Sequence, residues 1–481
     1  MRAGSRRRIV VHRFSQAAVV CAAIGCGAAD INGLPRILVV SGDALVLTVG
    51  QRDSLWATIE GPPLITAEWQ SRNPAVATVT AQGVITAVSP GRTHVIAGSG
   101  GDRDSASVTV RSPDALPQMR YSIIAAGGAH TCAITESVRA MCWGSNWHGE
   151  LGFGRPIRFR STMSPMPVAT GSFTALDVST TNTCALGADR RIYCWGDNLY
   201  GQLGDGGRST RAAPEPVRTD LRFAAVSVGG AMACGLTDAG EASCWGQIGS
   251  RQESLPVRIQ TAARLKVISA GGMHGCGITL DGTLECWGRN DLGQLGDGTK
   301  EPRVQPVRVE GNERFRSVSA GYVHTCAISE SDAVYCWGDN FDGRLGIGTQ
   351  AGTSSPTRVS IPDGAREVSA GNVHSCAVTL RDEAYCWGDN IYAQLGNGHP
   401  PGQSAADYKE LSPVKVTAAG IRFRTITAGG QHTCALSTEG EAFCWGFSSG
   451  QLGIGYRGSY HPSSFPLRTV PTRIADSPTL P

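Results

Sequence analysis

Cysteine is the reactive side chain that this sequence uses most deliberately. Fourteen cysteines form seven pairs, each with its members ten residues apart: Cys132 with Cys142, Cys184 with Cys194, Cys234 with Cys244, Cys276 with Cys286, Cys326 with Cys336, Cys376 with Cys386, and Cys434 with Cys444. Thiolates at regular spacing serve either as metal ligands or as disulfides. Five pairs open on His-x-Cys, through His130, His274, His324, His374 and His432, which puts a second ligand type beside the sulfur. Zinc knuckles hold their cysteines about two to four residues apart, much closer than these. Asn182 and Met232 also interrupt the histidine series, so no symmetric ring of ligands exists. The histidines are expected to be structural, each bonding a neighbouring turn. Nucleophilic chemistry has one candidate, the Gly-x-Ser-x-Gly run Gly446-Phe447-Ser448-Ser449-Gly450. That motif works on a strand-to-helix elbow, and this one lies in a β-rich repeat. Neither a phosphate-binding glycine loop nor His-Glu-x-x-His is present. Asp-Asn pairs such as Asp197-Asn198, Asp339-Asn340 and Asp389-Asn390 concentrate too few carboxylates for calcium, and they read as turn caps. No catalytic residue, cofactor or metal is therefore predicted.

The segments around each cysteine pair explain the spacing. His324-Thr325-Cys326-Ala327-Ile328 and Val334-Tyr335-Cys336-Trp337-Gly338 are two β-rich runs joined by a short polar link, which predicts a hairpin. A three-residue loop at the midpoint sets the two cysteines directly opposite, with Cα atoms about 4.5–5.5 Å apart and within disulfide range. Its last residue must take a left-handed conformation. Gly240, Gly282, Gly440, Asp332 and Asp382 suit that position, and Val138 and Arg190 suit it less well. Each such bond closes a short loop that the entropy model values at about 2.5–3 kcal/mol, an upper figure because the hairpin already orders the chain.

One cysteine pair about every 50 residues marks a repeat architecture. The pattern Ala-Gly-Gly-x-His-Thr-Cys-Ala, Cys-Trp-Gly-Asp-Asn, Gly-Gln-Leu-Gly-Asp-Gly, Pro-x-x-Val is nearly complete at 270–309 and 370–416, and recognisable in seven units. It resembles the regulator of chromosome condensation repeat. The resemblance implies a seven-bladed β-propeller of four-stranded blades, with the tryptophans Trp143 to Trp445 packed between blades. Pro471-Thr472-Arg473-Ile474 is a last copy of the Pro-x-x-Val strand. It is expected to pair into the blade that opens at Tyr121 and so close the ring.

Residues 35–111 lack cysteine and alternate β-branched runs with polar turns. The stretch from Trp69 through Asn73-Pro74-Ala75-Val76-Ala77-Thr78-Val79 to Gly83-Val84-Ile85-Thr86-Ala87 resembles the group-two bacterial immunoglobulin-like domain, which implies a sandwich used as a spacer or adhesive module. The fold class is thus all-β: a seven-bladed propeller over 121–476, preceded by a small immunoglobulin-like sandwich over 35–111. A linker with Pro113 and Pro117 spans 112–120.

The N-terminus reads as a targeting segment over residues 1–25. Arg2, Arg6, Arg7 and Arg8 precede a short apolar run that ends in Ala23-Ile24-Gly25-Cys26, which resembles a lipobox with Cys26 as the lipidated residue. Simple cleavage and a retained anchor are the alternatives to lipidation, and Ser5-Arg6-Arg7-Arg8-Ile9-Val10 also resembles a twin-arginine signal. Outside it no run of about 18 apolar residues occurs. With 43 Lys+Arg against 40 Asp+Glu, the chain carries no polyelectrolyte signature, and no nucleic-acid partner is predicted. Charged residues make up 17% and glycines number 62, a composition of short strands and tight turns.

The expected role is an exported, membrane-anchored lipoprotein, monomeric and non-catalytic, that binds a protein or glycan. Guanine-nucleotide exchange, implied by the founding family, is one alternative, although an exported chain would not meet a nuclear GTPase. The founding member also uses a wedge on its third blade, and here the third repeat is the shortest. An enzyme with an unrecognised face cleft is the other alternative. The binding face is expected near two long connections, 154–165 in unit one and 398–413 in unit six, flanking unit seven. Arg158, Tyr408 and Tyr460 are the candidate partner-binding residues, with Tyr456, Arg457 and His461 nearby.

Overall fold

The computed structural model describes residues 37–40, 44–50, 52–54, 57–60, 68–99, 102–111, 119–154, 161–399, 408–418, 420–455 and 467–475. Their regular elements are β-strands. From Tyr121 onward these strands form seven antiparallel four-stranded sheets, each built from four consecutive strands. Blade 1 comprises Tyr121–Ala126, His130–Thr135, Ala140–Ser145 and Ser161–Pro167; blade 7 comprises Phe423–Ala428, His432–Ser437, Ala442–Phe447 and Leu467–Arg473. The first strand of every blade touches the first strand of the next, and that of blade 7 touches that of blade 1. The predicted seven-bladed propeller is therefore present as a closed ring.

Its closure departs from expectation. Arg473 pairs with Phe443 and Thr472 with Cys444, so the C-terminal strand completes blade 7. Blade 1 draws its fourth strand from its own Ser161–Pro167. The sequence contains the reason: Pro165-Met166-Pro167-Val168 is already the Pro-x-x-Val copy of unit one. Seven copies serve seven blades and none is left to exchange.

Burial accounts for the strand order. Second strands are buried at every position, because neighbouring blades cover both of their faces. First strands alternate buried with half-exposed positions, and fourth strands are half-exposed along most of their length. The apolar core accordingly lies between blades. Cys132, Cys142 and Leu151 of blade 1 pack in one cluster with Phe173, Ala185 and Trp195 of blade 2, and all seven tryptophans of the repeats are fully buried.

Each cysteine stands opposite its partner in the strand register. Cys132 faces Cys142, Cys184 faces Cys194, Cys234 faces Cys244 and Cys276 faces Cys286. Cys326 faces Cys336, Cys376 faces Cys386 and Cys434 faces Cys444 in the last three blades. All seven pairs are bonded, with Cα atoms 4.0–4.1 Å apart. That is closer than the expected separation of unbridged facing residues, about 4.5–5.5 Å, because the bond draws the two strands together. The hairpin residue predicted to be left-handed has positive φ in all seven blades, including Val138 at 62° and Arg190 at 64°. Loop length thus overrides residue preference at those two positions.

Upstream, Ala44–Thr48, Asp102–Arg111, Gly91–Ser99 and Glu68–Ser71 form one sheet in that order, and Arg52–Ser54, Val84–Ala87 and Ala77–Val79 form another. Leu47, Val76, Ile85, Val95 and Val108 are buried together in a separate core. Cys26, the targeting segment and residues 112–118 lie outside the described residues.

Two outcomes follow from contiguous blades and interior sulfurs. Met119 and Ile474 belong to one packed cluster, so a circular permutant joining 475 to 119 and cut at Gly311 should keep its near-ultraviolet circular dichroism, with a melting temperature within a few degrees of the parent propeller. All fourteen paired cysteines have zero exposure. Dithiothreitol should therefore leave the seven bonds intact in native buffer and reduce them all once denaturant is added, as read by thiol-labelling mass spectrometry.

Candidate functional site

The histidines of the His-x-Cys runs do not bond neighbouring turns. Each reaches across to the next blade. Nε2 of His130, His274, His324, His374 and His432 lies 2.8–3.0 Å from a hydroxyl on Thr183, Thr325, Ser375, Thr433 and Thr131 respectively. The hydroxyl donates its single proton onward to a backbone carbonyl of the histidine's own blade: Thr131 to Gln451 at 2.8 Å, and Thr183 to Glu150 at 3.0 Å. The following tryptophan donates to the same carbonyl, Trp143 to Gln451 at 2.9 Å and Trp195 to Glu150 at 2.8 Å. Since the hydroxyl proton is committed, the histidine must donate from Nε2–H, which leaves Nδ1 bare. No partner meets Nδ1 in any of the five.

Burial holds these rings neutral. It pushes His274 down to about 4 and both His374 and His432 down to about 3, with like charge from neighbouring rings or Arg344 adding to the effect in the latter two. His130 also falls to about 4 through burial, opposed by the Glu150 carboxylate. His324 falls well below its ordinary value, through burial first and Arg344 second. Two seams lack the relay altogether. Asn182 of blade 2 faces a blade with Ala233 at the hydroxyl position, and Met232 of blade 3 faces one with Gly275.

A second set of bonds encircles the axis. Glycine-rich turns after the first strands line a narrow channel of about 70 Å³. A Cβ on Gly430 would come within 2.4 Å of the Gly128 carbonyl, so close approach demands glycine there. Ser or Thr on one first strand accepts the next blade's amide, as Ser319 does from Ala370 at 2.9 Å. Blade 1 has Ala125 at this position, and Asp177 of blade 2 takes both jobs, accepting from the orphaned Val178 N at 2.9 Å and from Val228 N of the next blade at 2.8 Å. Desolvation raises its carboxyl to about 6 against those bonds.

The two faces of the ring differ. One carries the axial turns and the third-to-fourth strand connections; the other carries the cysteine hairpins and the blade-to-blade links. On the axial-turn face, the position after Cys-Trp-Gly-x-Asn holds Trp147, Leu199, Phe341 and Ile391, exposed by 57, 61, 71 and 42%. Tyr322 joins them from an axial turn, 48% exposed. Among the described residues, every propeller aromatic exposed to this degree is on that face. A cleft of about 480 Å³ opens there between Trp147 of blade 1 and Tyr392 of blade 6. Gly128 and Ala129 of blade 1 and Gly430 and Gln431 of blade 7 form its floor. Tyr392 is braced edge-on by Phe447, with ring centroids 5.1 Å apart. The opposite face is dressed with ion pairs such as Arg316–Asp332 at 2.7 Å and Lys415–Glu383 at 2.8 Å.

Arg158 and Tyr460 lie outside the described residues. Tyr408 is half-buried, its carbonyl accepting from Asn390 N at 2.6 Å. The strand ends that flank the three long connections, at Ser145 and Ser161, Asp389 and Lys409, Phe447 and Leu467, stand at the axial-turn face. Sequence reading singled out the first two of those connections, with nearby residues of the third, and missed the exposed ring beside them, although one fixed offset from the Cys-Trp-Gly motif marks it. The Asn residues of that motif cap turns as predicted: Asn340 Oδ1 accepts from Leu345 N at 2.9 Å. Ser448 is buried in an all-β turn and no described histidine bonds it. Among the described residues no three metal-ligating side chains converge.

Comparison with known proteins agrees with the repeat type. Two models of the Regulator of chromosome condensation (RCC1) repeat match, one at 189–236, 281–328, 331–378 and 381–436, the other at 122–150, 168–202, 266–294, 315–344, 365–394 and 423–451. Together they cover more than half of the chain. This protein belongs to the RCC1 repeat family. A Bacterial Ig-like domain (group 2) model matches residues 64–110. The yeast RCC1-type propeller Prp20p of Saccharomyces cerevisiae superposes with a TM-score of 0.62 at 20% identity, over 75% of this chain and 88% of its own. Human WBSCR16 gives 0.59 at 18%, over 71% and 94%. Among curated relatives, human "Probable E3 ubiquitin-protein ligase HERC6" is 33% identical over 29% of this chain, and the Arabidopsis thaliana "Ultraviolet-B receptor UVR8" is 32% identical over 21%. Those alignments span only 14% and 23% of the relatives' own lengths.

One RCC1 seam offers an internal control. Trp287 of blade 4 has no partner for Nε1, because blade 3 replaces the usual turn with Gly249-Ser250. Trp337 donates to Gln294 O at 3.0 Å. Trp337→Phe should therefore cost about 1 kcal/mol more than Trp287→Phe, since only the former loses a hydrogen bond, while Thr325 Oγ1 still donates to the Gln294 carbonyl at 2.8 Å. Parallel denaturant titrations of the two variants measure the difference.

Proposed function

We propose that this chain is an exported, lipid-anchored and non-catalytic binding protein that grips a protein partner with the axial-turn face of its propeller. The exposed ring of Trp147, Leu199, Phe341, Ile391 and Tyr322 carries the reading. Exposed aromatic side chains gathered on one face are the composition of interface hot spots, whereas the hairpin face exposes aliphatic Leu280, Leu380 and Val138 beside its ion pairs. The ring residues stand on short connections braced by rigid blades, so little order is lost when a partner arrives. Prp20p, whose structure is described together with its binding to Gsp1p and histones, is a protein-binding use of the same ring. Export accords with seven buried disulfides, which persist in oxidising compartments. Anchoring rests on Cys26 and the residues before it.

The exchange-factor alternative finds no inserted element on blade 3, whose third and fourth strands, Ala242–Ile248 and Arg251–Arg258, are joined by two residues. Photo-crosslinking on intact cells tests the face. A photoreactive residue at position 199 or 341 should capture a discrete protein, and Trp147→Ala with Phe341→Ala should cut capture at least tenfold without moving the melting temperature. Equal capture from position 280 or 380, on the hairpin face, would overturn the assignment.

A further inference from the structure

Chain continuity joins six of the seven blade seams. The seventh, between blades 7 and 1, is held only by non-covalent contacts, because no strand is exchanged across it. Gly430 N donates to Gly127 O at 2.9 Å, Ala126 N to Thr427 Oγ1 at 3.1 Å and Tyr121 N to Gly440 O at 2.8 Å. A further polar tie is the relay from His432 through Thr131 to Gln451 O, which Trp143 shares. The cleft of the binding face straddles this seam: its floor mixes blade 1 with blade 7, and its walls, Trp147 and Tyr392, stand on either side.

We propose that the seam between blades 7 and 1 is an acid-released clasp, which opens the cleft and discharges its partner when the surroundings turn acidic. This regulation rests on the binding face proposed above. His432 is fully enclosed, its Nε2–H is committed to Thr131, and its Nδ1 has no acceptor. A proton taken up at Nδ1 would create a buried cation whose new N–H finds no bond. The charged and titratable groups that reach it are the rings of His374 and His130, both of which oppose a positive charge. The Glu150 carboxylate acts on His130, and it is itself held by Ser145 Oγ at 2.8 Å and His148 N at 2.7 Å. Closed, the seam therefore keeps His432 neutral. Open, the ring regains its ordinary affinity for protons, near 6.5. Closure is fully favoured above that value and is lost as pH falls through it, towards the depressed value of the closed state. One histidine so released multiplies the opening constant about 25-fold between pH 7 and pH 5.

Hydrogen exchange on the whole mature protein tests the clasp without any partner, so its failure leaves the face assignment standing. Corrected for intrinsic rates, the opening constants of the Ala126, Gly430 and Tyr121 amides should rise about 25-fold from pH 7 to pH 5. His432→Gln retains an N–H for Thr131 and cannot titrate, and it should reduce that rise to less than threefold. His432→Asn, which copies the Asn182 already present in blade 2, serves if the glutamine variant folds poorly. An unchanged rise in both variants, or no rise in the wild type, would overturn the proposal.

Discussion

A second strand buried along both faces is the constraint from which the rest of the propeller follows. His130–Thr135 and its six counterparts are buried along their whole length, so the polar groups they carry must look for partners inside the protein. Their own sheets satisfy the backbone. Side chains can turn only to the adjoining blades, and the relay from histidine to hydroxyl to carbonyl is what results. The carbonyl that ends it belongs to the tight turn after Cys-Trp-Gly, which explains why turn, tryptophan and histidine recur together. Cysteines suit the same strands for a related reason: joined as disulfides, they leave no buried polar group to satisfy.

Most of this architecture was legible because repetition amplifies weak signals. One cysteine hairpin is ambiguous, whereas seven at a common spacing fix strand pairing, register and blade number together. The left-handed hairpin residue was legible from the glycines and aspartates of five blades, and Val138 and Arg190 obey the loop rather than their own preference. Closure was misread. A terminal copy of a repeated strand suggests exchange, and only counting seven Pro-x-x-Val copies against seven blades shows that none is spare. The relay was legible and went unread, because its two halves lie about 50 residues apart. Its signature is paired loss: Asn182 with Ala233, Met232 with Gly275. A single chain thus contains its own substitution experiment, since the hydroxyl is kept only where a histidine precedes it.

The exposed ring on the axial-turn face was harder to anticipate for a different reason. Long connections draw attention because length is visible in a sequence, but exposure is a property of the fold. Trp147 and Phe341 look like core residues on paper, one place after a structural motif in which the tryptophan itself is wholly buried. Only the assembled ring shows that this next position points out of the axial-turn face, at 57% and 71% exposure. Propellers host unrelated activities on one scaffold, so the function must be argued from that site and not from the family.

Neutral histidine gives the interface its strength and also its sensitivity. A hydroxyl donor could have met the neighbouring blade's Thr or Ser without any titratable group, and the seams after Asn182 and Met232 dispense with the bond entirely. Both of those seams are crossed by the chain, so their loss of a polar tie cannot open the ring. The seam between blades 7 and 1 has no such insurance, and there the relay is complete in all its parts: His432, Thr131, Gln451 and Trp143. Burial makes the tie effective by excluding competing water, and by the same exclusion forbids the protonated ring. Stability at neutral pH and weakness in acid are therefore two consequences of one geometry, placed where the molecule has nothing covalent to fall back on.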